Sequence, residues 1–417
     1  MRTESNTAGR VSDLNQAEQD CERRLRIAYL TMEDPSDRRS WSGTHYYMAK
    51  ALEKHCGNVL RVGPLRPTAL NLGKAIQRGV RLLSGQRYLY NYTALVSRSL
   101  GKMAEERLSR EACDVIFAPA GSAILGHLQT RIPIVYLSDT TFKLMINYYN
   151  DFSNLIPSHI GLGDRMEGLS IQKSKQLVYP SQWAARSAVE DYKADNLIVN
   201  VVPFGANLDD EPSRLQALRC PERDRCRLLF VGVNWDQKGG DIAFETLLEL
   251  RRLGISAELT IVGCRPPQGL NHPNLRVFGF LNKNDAGERA QLDRLYREAT
   301  FFILPTRAEC FGIVACEASA YGLPVLETNT GGVPEIVREG INGFLFPLDA
   351  RGDRYADKIR DIYENCDTYQ QLRVSTREQF ESRLNWDAWG KRMKDILWAA
   401  VAPSGESQAK KSVHSSN

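Results

Sequence analysis

The sequence predicts an α/β protein built from two Rossmann-like domains that face each other across a cleft. Strand-like and helix-like segments alternate along most of the 417-residue chain, which is the pattern of parallel sheets with crossover helices. A polar, charged stretch without periodicity interrupts this alternation at 206–225, and the alternation then restarts. A chain of this length is also too long for one ordinary core and fits two domains.

The first half, predicted as the N-terminal domain over 23–205, contains buried strands separated by helices. One helix is expected at 43–55 and another at 181–192, where Ser181 is the predicted N-cap. Buried strands are expected at 25–31, 113–119, 132–138, 176–180 and 196–203.

The second half, predicted as the C-terminal domain over 226–385, repeats this order of elements. A helix is expected at 240–254, because Asp241 stands near its start and Arg251 and Arg252 near its end, in agreement with the helix dipole. Strands are expected at 227–233, 257–263, 275–280, 299–305 and 323–328. The polar ends of the chain, 1–22 and 402–417, are predicted to be flexible tails.

Composition excludes several classes of protein. A formal charge of only +4 does not indicate a nucleic-acid partner. Nine scattered cysteines with no C-x-x-C pair predict a reduced, cytoplasmic protein. Cys310 and Cys316 are expected to be small buried residues, since a zinc site would need more ligands at closer spacing. No apolar run approaches the ~20 residues that span a bilayer.

Four loops at the carboxyl ends of predicted second-half strands have an unusual content. They are "NWDQKGGD", "LNKND", "TRAECFGIVACEA" and "NTGGVPEIV". Lys238 precedes two glycines and a helix, and Gly312 stands where the next helix should open. A helix start offers free N–H groups and a partial positive charge, and glycines let a phosphate approach the backbone. The loops therefore predict a diphosphate site.

Two glutamates, Glu309 and Glu317, flank the phenylalanine–glycine turn in the third of these loops. Glu317 lies about one and a half turns into the predicted helix and could accept hydrogen bonds from ribose hydroxyls, and Glu309 could take hydroxyls at the other end of the ligand. There is no Asp-x-Asp in the chain, so a metal-bridged diphosphate is not the obvious arrangement. Two solvated surface charges are the alternative interpretation of this pair.

These residues resemble the retaining glycosyltransferases of the glycogen-synthase-like family 4, which have the two-domain GT-B fold. The resemblance rests on Lys238-Gly239, on Glu309 and Glu317 in the spacing E-x7-E, and on "NTGGVPEIV…GINGFLF". It is strong over about 226–348 and weaker over 24–208, where "WSGTHYYMAKAL" looks like the first glycine loop of the family. It implies that the last helix, 386–401, crosses back to the N-terminal domain.

The resemblance also implies a role for each residue of the site. Lys238, with backbone N–H groups near Gly312 and Ile313, would hold the diphosphate of a nucleotide-sugar donor, and Glu317 would bind its ribose. Glu309 is the catalytic candidate beside the anomeric carbon. The leaving diphosphate would help to deprotonate the acceptor on the same face, which gives retention without a metal or another cofactor. Further donor contacts are assigned to Gly43, Gly239, Leu281, Phe311 and Val314.

Two departures from the family pattern concern the charges of the site. Val233 stands where the family usually has an arginine, so Lys283 or Arg307 is the candidate cationic partner of Lys238. Asp139 stands where many members have a histidine, at the end of an N-terminal strand, and is the second catalytic candidate. A helix N-cap is the competing interpretation of Asp139. A tight turn is the competing interpretation of Gly331-Gly332, and it applies to Gly43 as well.

The expected activity is transfer of a hexose-like sugar from a nucleotide-diphosphate sugar to a glycan or lipid-linked hydroxyl acceptor. A nucleotide-sugar binding or scaffold protein without turnover is one alternative, and a phosphorylase or epimerase on the same fold is another. The base of the donor (UDP or GDP), the sugar, the acceptor and the oligomeric state stay open.

The segment 69–87 predicts a helix with Lys74, Arg78 and Arg81 on one side and Ile76, Val80 and Leu83 on the other. Such a helix could lie on an anionic membrane at the inner face of the cell envelope, a contact assigned to 70–87. The alternative is a helix with a solvated face that packs on its own sheet.

Overall fold

The computed structural model describes residues 24–219 and 224–403 of the chain. The predicted tail 1–22 lies outside the described residues, as does most of the tail predicted at 402–417. Within the described ranges, the strands form two parallel six-stranded sheets with helices around them. The α/β prediction of two Rossmann-like units is confirmed, whereas the exact domain limits stay predictions.

The N-terminal sheet has the strand order β2-β1-β3-β4-β5-β6. Its strands are β1 (Leu25–Leu30), β2 (Gly57–Val62), β3 (Val115–Pro119), β4 (Ile134–Leu137), β5 (Gln176–Tyr179) and β6 (Val199–Val201). The central strands β1, β3 and β4 are apolar on both faces because helices cover the sheet on both sides. The edge strand β2 was not predicted, since Asn58 and Arg61 interrupt its apolar pattern.

The C-terminal sheet has the strand order β12-β11-β10-β7-β8-β9. Its strands are β7 (Cys226–Val231), β8 (Ala257–Val262), β9 (Leu275–Phe278), β10 (Phe301–Leu304), β11 (Val325–Thr328) and β12 (Gly343–Phe346). The order changes direction between β7 and β10, so the loops after these two strands border a crevice. This crevice faces the N-terminal domain.

The helices that matter for the site follow the strands in the expected βα order. In the N-terminal domain they are α1 (Thr44–His55), α2 (Ala69–Ser84), α3 (Ala94–Leu108), α4 (Ser122–Leu125), α5 (Phe142–Met145), α6 (Pro157–Lys173) and α7 (Gln182–Glu190). The linker and C-terminal domain hold α8 (Arg214–Leu218), α9 (Gly240–Arg252), α10 (Ala286–Glu298), α11 (Ile313–Ala320), α12 (Val333–Ile336), α13 (Gly352–Tyr363), α14 (Cys366–Arg383) and α15 (Trp386–Val401).

Local signals explain where several of these helices begin. The Ser181 hydroxyl accepts a hydrogen bond from the Ala184 amide, so the predicted N-cap of α7 is confirmed. The linker 206–225 is not without structure as its sequence suggested. Ser213 and Gln216 form a reciprocal capping box that starts the short helix α8 there.

The last helix, α15, packs on the N-terminal domain, as the resemblance implied. Asp387 at its start accepts hydrogen bonds from Lys54 and His55 of α1, at 2.7 and 2.8 Å. Trp389 is buried against Phe117 of β3. The helix thereby joins the two domains, and it completes the GT-B arrangement.

Helix α2 is less covered than expected. Leu70 and Gly73 are buried, and a Cβ on Gly73 would lie 2.7 Å from Tyr90. Leu82 and Leu83, by contrast, are 86% and 91% exposed. The alternative of a helix that packs on its own domain therefore holds for Leu70 and Gly73 but not for Leu83.

Candidate active site

A cavity of about 390 Å³ lies between the two domains, at the carboxyl ends of the C-terminal strands. The N-terminal domain contributes Arg38, Arg39 and Ser42 from the loop after β1. The C-terminal domain contributes most of the remaining wall. Seven of the predicted site residues line the cavity together: Lys238, Leu281, Glu309, Gly312, Ile313, Val314 and Glu317.

The loop after β7 places Lys238 in this cavity. Gly239 adopts the left-handed region at φ 75° and caps the N-terminus of α9. A Cβ at this position would lie 1.9 Å from the Pro305 carbonyl oxygen, so only glycine fits. The tight turn aims the Lys238 ammonium at the Glu309 carboxylate, with which it forms an ion pair. Gly239 therefore shapes the site without lining it.

The loop after β10 opens helix α11 toward the cavity. Gly312 has φ 99° and is the N-cap of α11, as predicted. Ile313 and Val314 are the first helical residues, and their N–H groups lie at a helix start, where no intrahelical acceptor is available. Because the helix dipole is positive at this end, the cavity wall favours an anionic group here.

The carboxylate of Glu317 is fully buried on α11, yet both of its oxygens have partners. Lys283 donates to Oε1 at 2.5 Å, and the Tyr296 hydroxyl donates to Oε2 at 3.0 Å. A buried carboxylate without such partners would cost several kcal/mol. The alternative of two solvated surface charges is excluded, since Glu309 is also buried.

Two Lys–Glu pairs lie in the cavity wall. One is Lys238–Glu309 and the other is Lys283–Glu317. Lys283 thus adds a cation to the C-terminal side of the cavity, where the exposed Val233 carries no charge. Arg307 does not line the cavity, because it pairs with Asp241 at 2.8 Å.

Phe311 and Gly43 lie beside the cavity rather than on its wall. The Phe311 ring is buried against Phe204 at a centroid distance of 5.1 Å, in a T-shaped arrangement. Gly43 has φ 92° and follows Trp41 and Ser42, which also have positive φ. A Cβ on Gly43 would lie 3.1 Å from the Arg38 carbonyl oxygen. The turn that Gly43 permits brings Arg38 and Ser42 to the cavity.

Asp139 is half-buried on the N-terminal side of the cleft and is not the N-cap of α5, a position that Thr141 occupies. It accepts a hydrogen bond from the Trp41 indole nitrogen at 3.3 Å. Burial raises the pKa of the Asp139 carboxyl to about 6, and the negative charge of Glu309 acts in the same direction. Asp139 thus faces Glu309 across the cleft without lining the cavity.

The glycine pair Gly331-Gly332 is explained by close backbone packing. Cβ atoms there would lie 2.0 Å from the carbonyl oxygens of Glu309 and Cys310, respectively. Gly331 also has φ 54°. Neither glycine lines the cavity, so the tight-turn interpretation of this pair holds.

Several residues of the site were not predicted from the sequence. Arg38 lines the cavity and pairs with Asp209 of the linker at 3.0 Å. Tyr148 and Tyr149 reach the segment of Glu309 from the N-terminal domain. These residues stand in loops without a recognisable spacing, so only their charge or hydroxyl groups could have drawn attention to them.

Two features of the described residues concern metal binding and membrane insertion. The described part of the chain contains no cluster of three or more His, Cys, Asp or Glu side chains arranged to hold a metal ion. In that same part, no helix has the length and apolar character needed to traverse a bilayer.

Comparison with known proteins bears on the family of the chain. Residues 225–365 match the family model described as "Glycosyl transferases group 1". The chain is similar to this family over these residues. Its fold is the GT-B fold, with two Rossmann-like domains and a cleft.

Curated relatives that this chain resembles carry the name D-inositol 3-phosphate glycosyltransferase. One from Nocardioides sp. is 30% identical over 298 residues, which are 65% of this chain and 63% of the relative. One from Frankia alni is 30% identical over 295 residues, which are 65% of this chain and 66% of the relative. The chain thus spans less than two thirds of the length of these relatives.

Solved structures support the fold of this chain over nearly its whole length. A sucrose-phosphate synthase from Thermosynechococcus elongatus has a TM-score of 0.65 at 17% identity, covering 90% of this chain and 100% of that one. The Anabaena protein HepE in complex with UDP and glucose has a TM-score of 0.58 at 15% identity, covering 90% of this chain and 99% of that one.

Proposed function

We propose that this chain is a retaining glycosyltransferase that moves a hexose-like sugar from a nucleotide-diphosphate sugar to a hydroxyl acceptor without a metal ion. The observation that carries the proposal is the cavity between the domains, which is lined by a helix N-terminus and by two Lys–Glu pairs. A nucleotide sugar has an anionic diphosphate between two groups rich in hydroxyls, so it complements this arrangement.

In this proposal the diphosphate lies between the N-terminus of α11 and the ammonium of Lys238. Glu317, held by Lys283 and Tyr296, accepts hydrogen bonds from the ribose hydroxyls. Glu309 lies beside the anomeric carbon, where its charge favours the oxocarbenium-like transition state. The positive groups around the phosphates stabilise the leaving group without a metal.

The proposed transfer keeps the anomeric configuration. The bond from the anomeric carbon to the diphosphate oxygen breaks, and the acceptor oxygen bonds to that carbon on the same face. The proton of the acceptor hydroxyl passes to an oxygen of the leaving diphosphate. The UDP and glucose bound in the Anabaena neighbour, and the relatives named as D-inositol 3-phosphate glycosyltransferases, support the donor class and suggest an acceptor to test.

The test is turnover of UDP-glucose and GDP-mannose in the presence of a chelator, with an acceptor panel that includes D-inositol 3-phosphate. We expect nucleotide release that depends on an acceptor, with a product whose anomeric configuration, read by proton NMR, matches that of the donor. Glu309→Gln should lower kcat by ~10²-fold or more. Arg307→Ala is the control, because this side chain pairs with Asp241 outside the cavity.

Acceptor-independent interconversion of the free nucleotide sugars would instead identify an epimerase, and phosphate-dependent breakdown of a glycan would identify a phosphorylase. Donor binding with no turnover of any acceptor would favour a binding or scaffold protein. An inverted product would contradict the retaining mechanism.

We also propose that helix α2 contacts an anionic membrane surface. No acidic residue occurs in 69–87, and Lys74, Arg78 and Arg81 are all exposed. Leu72, Leu82 and Leu83 are exposed beside them. Exposed leucines next to a basic stripe are what an interfacial helix presents to lipid head groups.

Sedimentation with phosphatidylglycerol vesicles tests this surface. The wild-type protein should pellet with anionic vesicles and stay in solution with phosphatidylcholine vesicles. Leu82→Gln/Leu83→Gln should abolish pelleting, whereas Leu215→Gln, at an equally exposed leucine of α8, should not. Equal pelleting of wild type and the α2 variant would refute the contact.

A further inference from the structure

A loop of the N-terminal domain reaches across the cleft and holds the backbone around Glu309. This loop, residues 146–156, follows α5 and carries two consecutive tyrosines. The Tyr148 hydroxyl accepts from the Glu309 amide at 2.9 Å, and the Tyr149 hydroxyl accepts from the Cys310 amide at 3.2 Å. Two successive hydroxyls of one domain therefore bind two successive amides of the other.

The same hydroxyls have further contacts around Glu309. Tyr149 donates to the Glu309 carboxylate at Oε1, at 3.4 Å, while Lys238 holds the other oxygen. The Tyr148 hydroxyl also lies 3.0 Å from the Thr330 hydroxyl. Gly331 is required for this approach, because a Cβ there would lie 2.4 Å from the Tyr148 hydroxyl oxygen.

The loop is attached to the body of the N-terminal domain. The Arg87 amide donates to the Asn154 carbonyl at 2.9 Å, and the Arg87 guanidinium pairs with Asp151 at 2.6 Å. The Tyr148 ring packs on Trp183 of α7 at a centroid distance of 5.3 Å. The two hydroxyls consequently keep their place in the N-terminal domain and move with it.

Resting on the proposed function, we propose that Tyr148 and Tyr149 are positioning residues that aim the Glu309 carboxylate when the two domains close. Lys238 and Glu309 belong to the same domain, so their ion pair does not depend on closure. The hydrogen bond from Tyr149 is different, because it forms only when the acceptor domain meets the donor domain. The contact ties the orientation of Glu309 to the closed cleft.

The chemistry of the two hydroxyls suits this role. Burial raises the pKa of Tyr148 and Tyr149 above the ordinary value, and the charge of Glu309 acts in the same direction. Both groups therefore stay protonated, so Tyr149 can donate to a carboxylate at any pH at which the protein is folded. A misplacement of ~1 Å at a reacting centre can cost up to ~10²-fold in rate.

The first arm of the test needs no ligand. Amide hydrogen exchange at Glu309 and Cys310 is compared between the wild-type protein and Tyr148→Phe/Tyr149→Phe. We expect exchange at these two amides to be about tenfold faster in the variant, because each amide loses one hydrogen bond. The control is Tyr88→Phe, since the Tyr88 ring packs against His159 in the same domain, in a tilted arrangement. Unchanged exchange would overturn the proposal.

The second arm separates positioning from mere attachment. Calorimetry compares UDP with UDP-glucose, and GDP with GDP-mannose, in each variant. The tyrosine variant should bind the nucleotide like wild type, but lose the additional affinity that the sugar confers and about tenfold or more of kcat. Tyr149→Phe alone should show most of this loss. If the variants keep the wild-type affinity for the nucleotide sugar and the wild-type kcat, the tyrosines only connect the two domains and do not position Glu309.

Failure of the proposed function gives a different result. A wild-type protein that binds neither nucleotide nor nucleotide sugar would refute the donor site, and the exchange arm would still decide whether the two hydroxyls hold residues 309 and 310. The other outcome is that the wild-type protein binds the nucleotide sugar and the tyrosine variant keeps the additional affinity that the sugar confers. This result would refute only the positioning role.

Discussion

The two walls of the cleft differ in whether their site residues can be recognised from the local sequence. On the C-terminal wall, Lys238, Gly312 and Glu317 stand in loops or helices that follow strands, and a short spacing connects Gly312 and Glu317. On the N-terminal wall, Arg38 and Asp139 stand in unrelated segments and meet the site only through the tertiary fold. The wall proposed to bind the common part of a donor carries a local signature. The wall proposed to face the acceptor does not.

The largest expected effect concerns a glycine of the C-terminal wall. Gly239→Ala places a Cβ 1.9 Å from the Pro305 carbonyl oxygen and requires positive φ of an alanine. The free energy of unfolding should fall by about 2–5 kcal/mol, the sum of steric overlap and left-handed strain. Denaturant titration measures it.

A glycine of the N-terminal domain provides the matched control. Nothing lies within 4 Å of a Cβ at Gly79, in the middle of α2, so Gly79→Ala should raise the stability by about 0.5–1 kcal/mol. Similar losses in both variants would mean that the turn at Gly239 is not the tight structure described above.

The elements could be predicted because burial and periodicity are local properties. The strands at 25–31 and 227–233 are largely apolar, with Arg26 and Arg227 near their starts, and Ser181 is followed at once by its helix. The helix in the linker was missed because it is one turn long and depends on the Ser213–Gln216 capping box rather than on an apolar stripe.

The site could be predicted only in part, for the same reason. Glu309 and Glu317 are informative because a fixed spacing connects them to a glycine turn. Tyr149 has no such spacing, and its contact with Glu309 links positions 160 residues apart. Lys283 was one of two candidate cations, and the sequence could not decide between it and Arg307. The structure places Lys283 in the cavity.

A smaller effect concerns Asp139 on the N-terminal wall. Its folded-state pKa of about 6 lies above the ordinary value of 3.8, so ionisation destabilises the folded protein. This destabilisation is absent below about pH 4, grows between pH 4 and pH 6, and is constant above pH 6. Asp139→Asn should therefore raise the stability at pH 7 by up to about 3 kcal/mol, with no gain below pH 4.

Thermal unfolding over pH 3.5–8 measures this difference. Asp349→Asn, at an exposed carboxylate, should give no pH-dependent gain. A constant difference between the Asp139 variant and wild type at all pH values would contradict the buried-charge account. A gain in stability accompanied by a loss of turnover would show that the protein keeps this carboxylate for function.

The most direct test of the central claim is calorimetric titration of UDP and GDP, with chelator present, into wild type, Lys238→Ala and Glu317→Gln. The account predicts micromolar binding of one nucleotide to wild type, at least about tenfold weaker binding to both variants, and unchanged binding to Arg307→Ala, whose side chain lies outside the cavity. Binding of neither nucleotide to wild type, or binding that neither variant weakens, would contradict the assignment of this cavity as a nucleotide-sugar site.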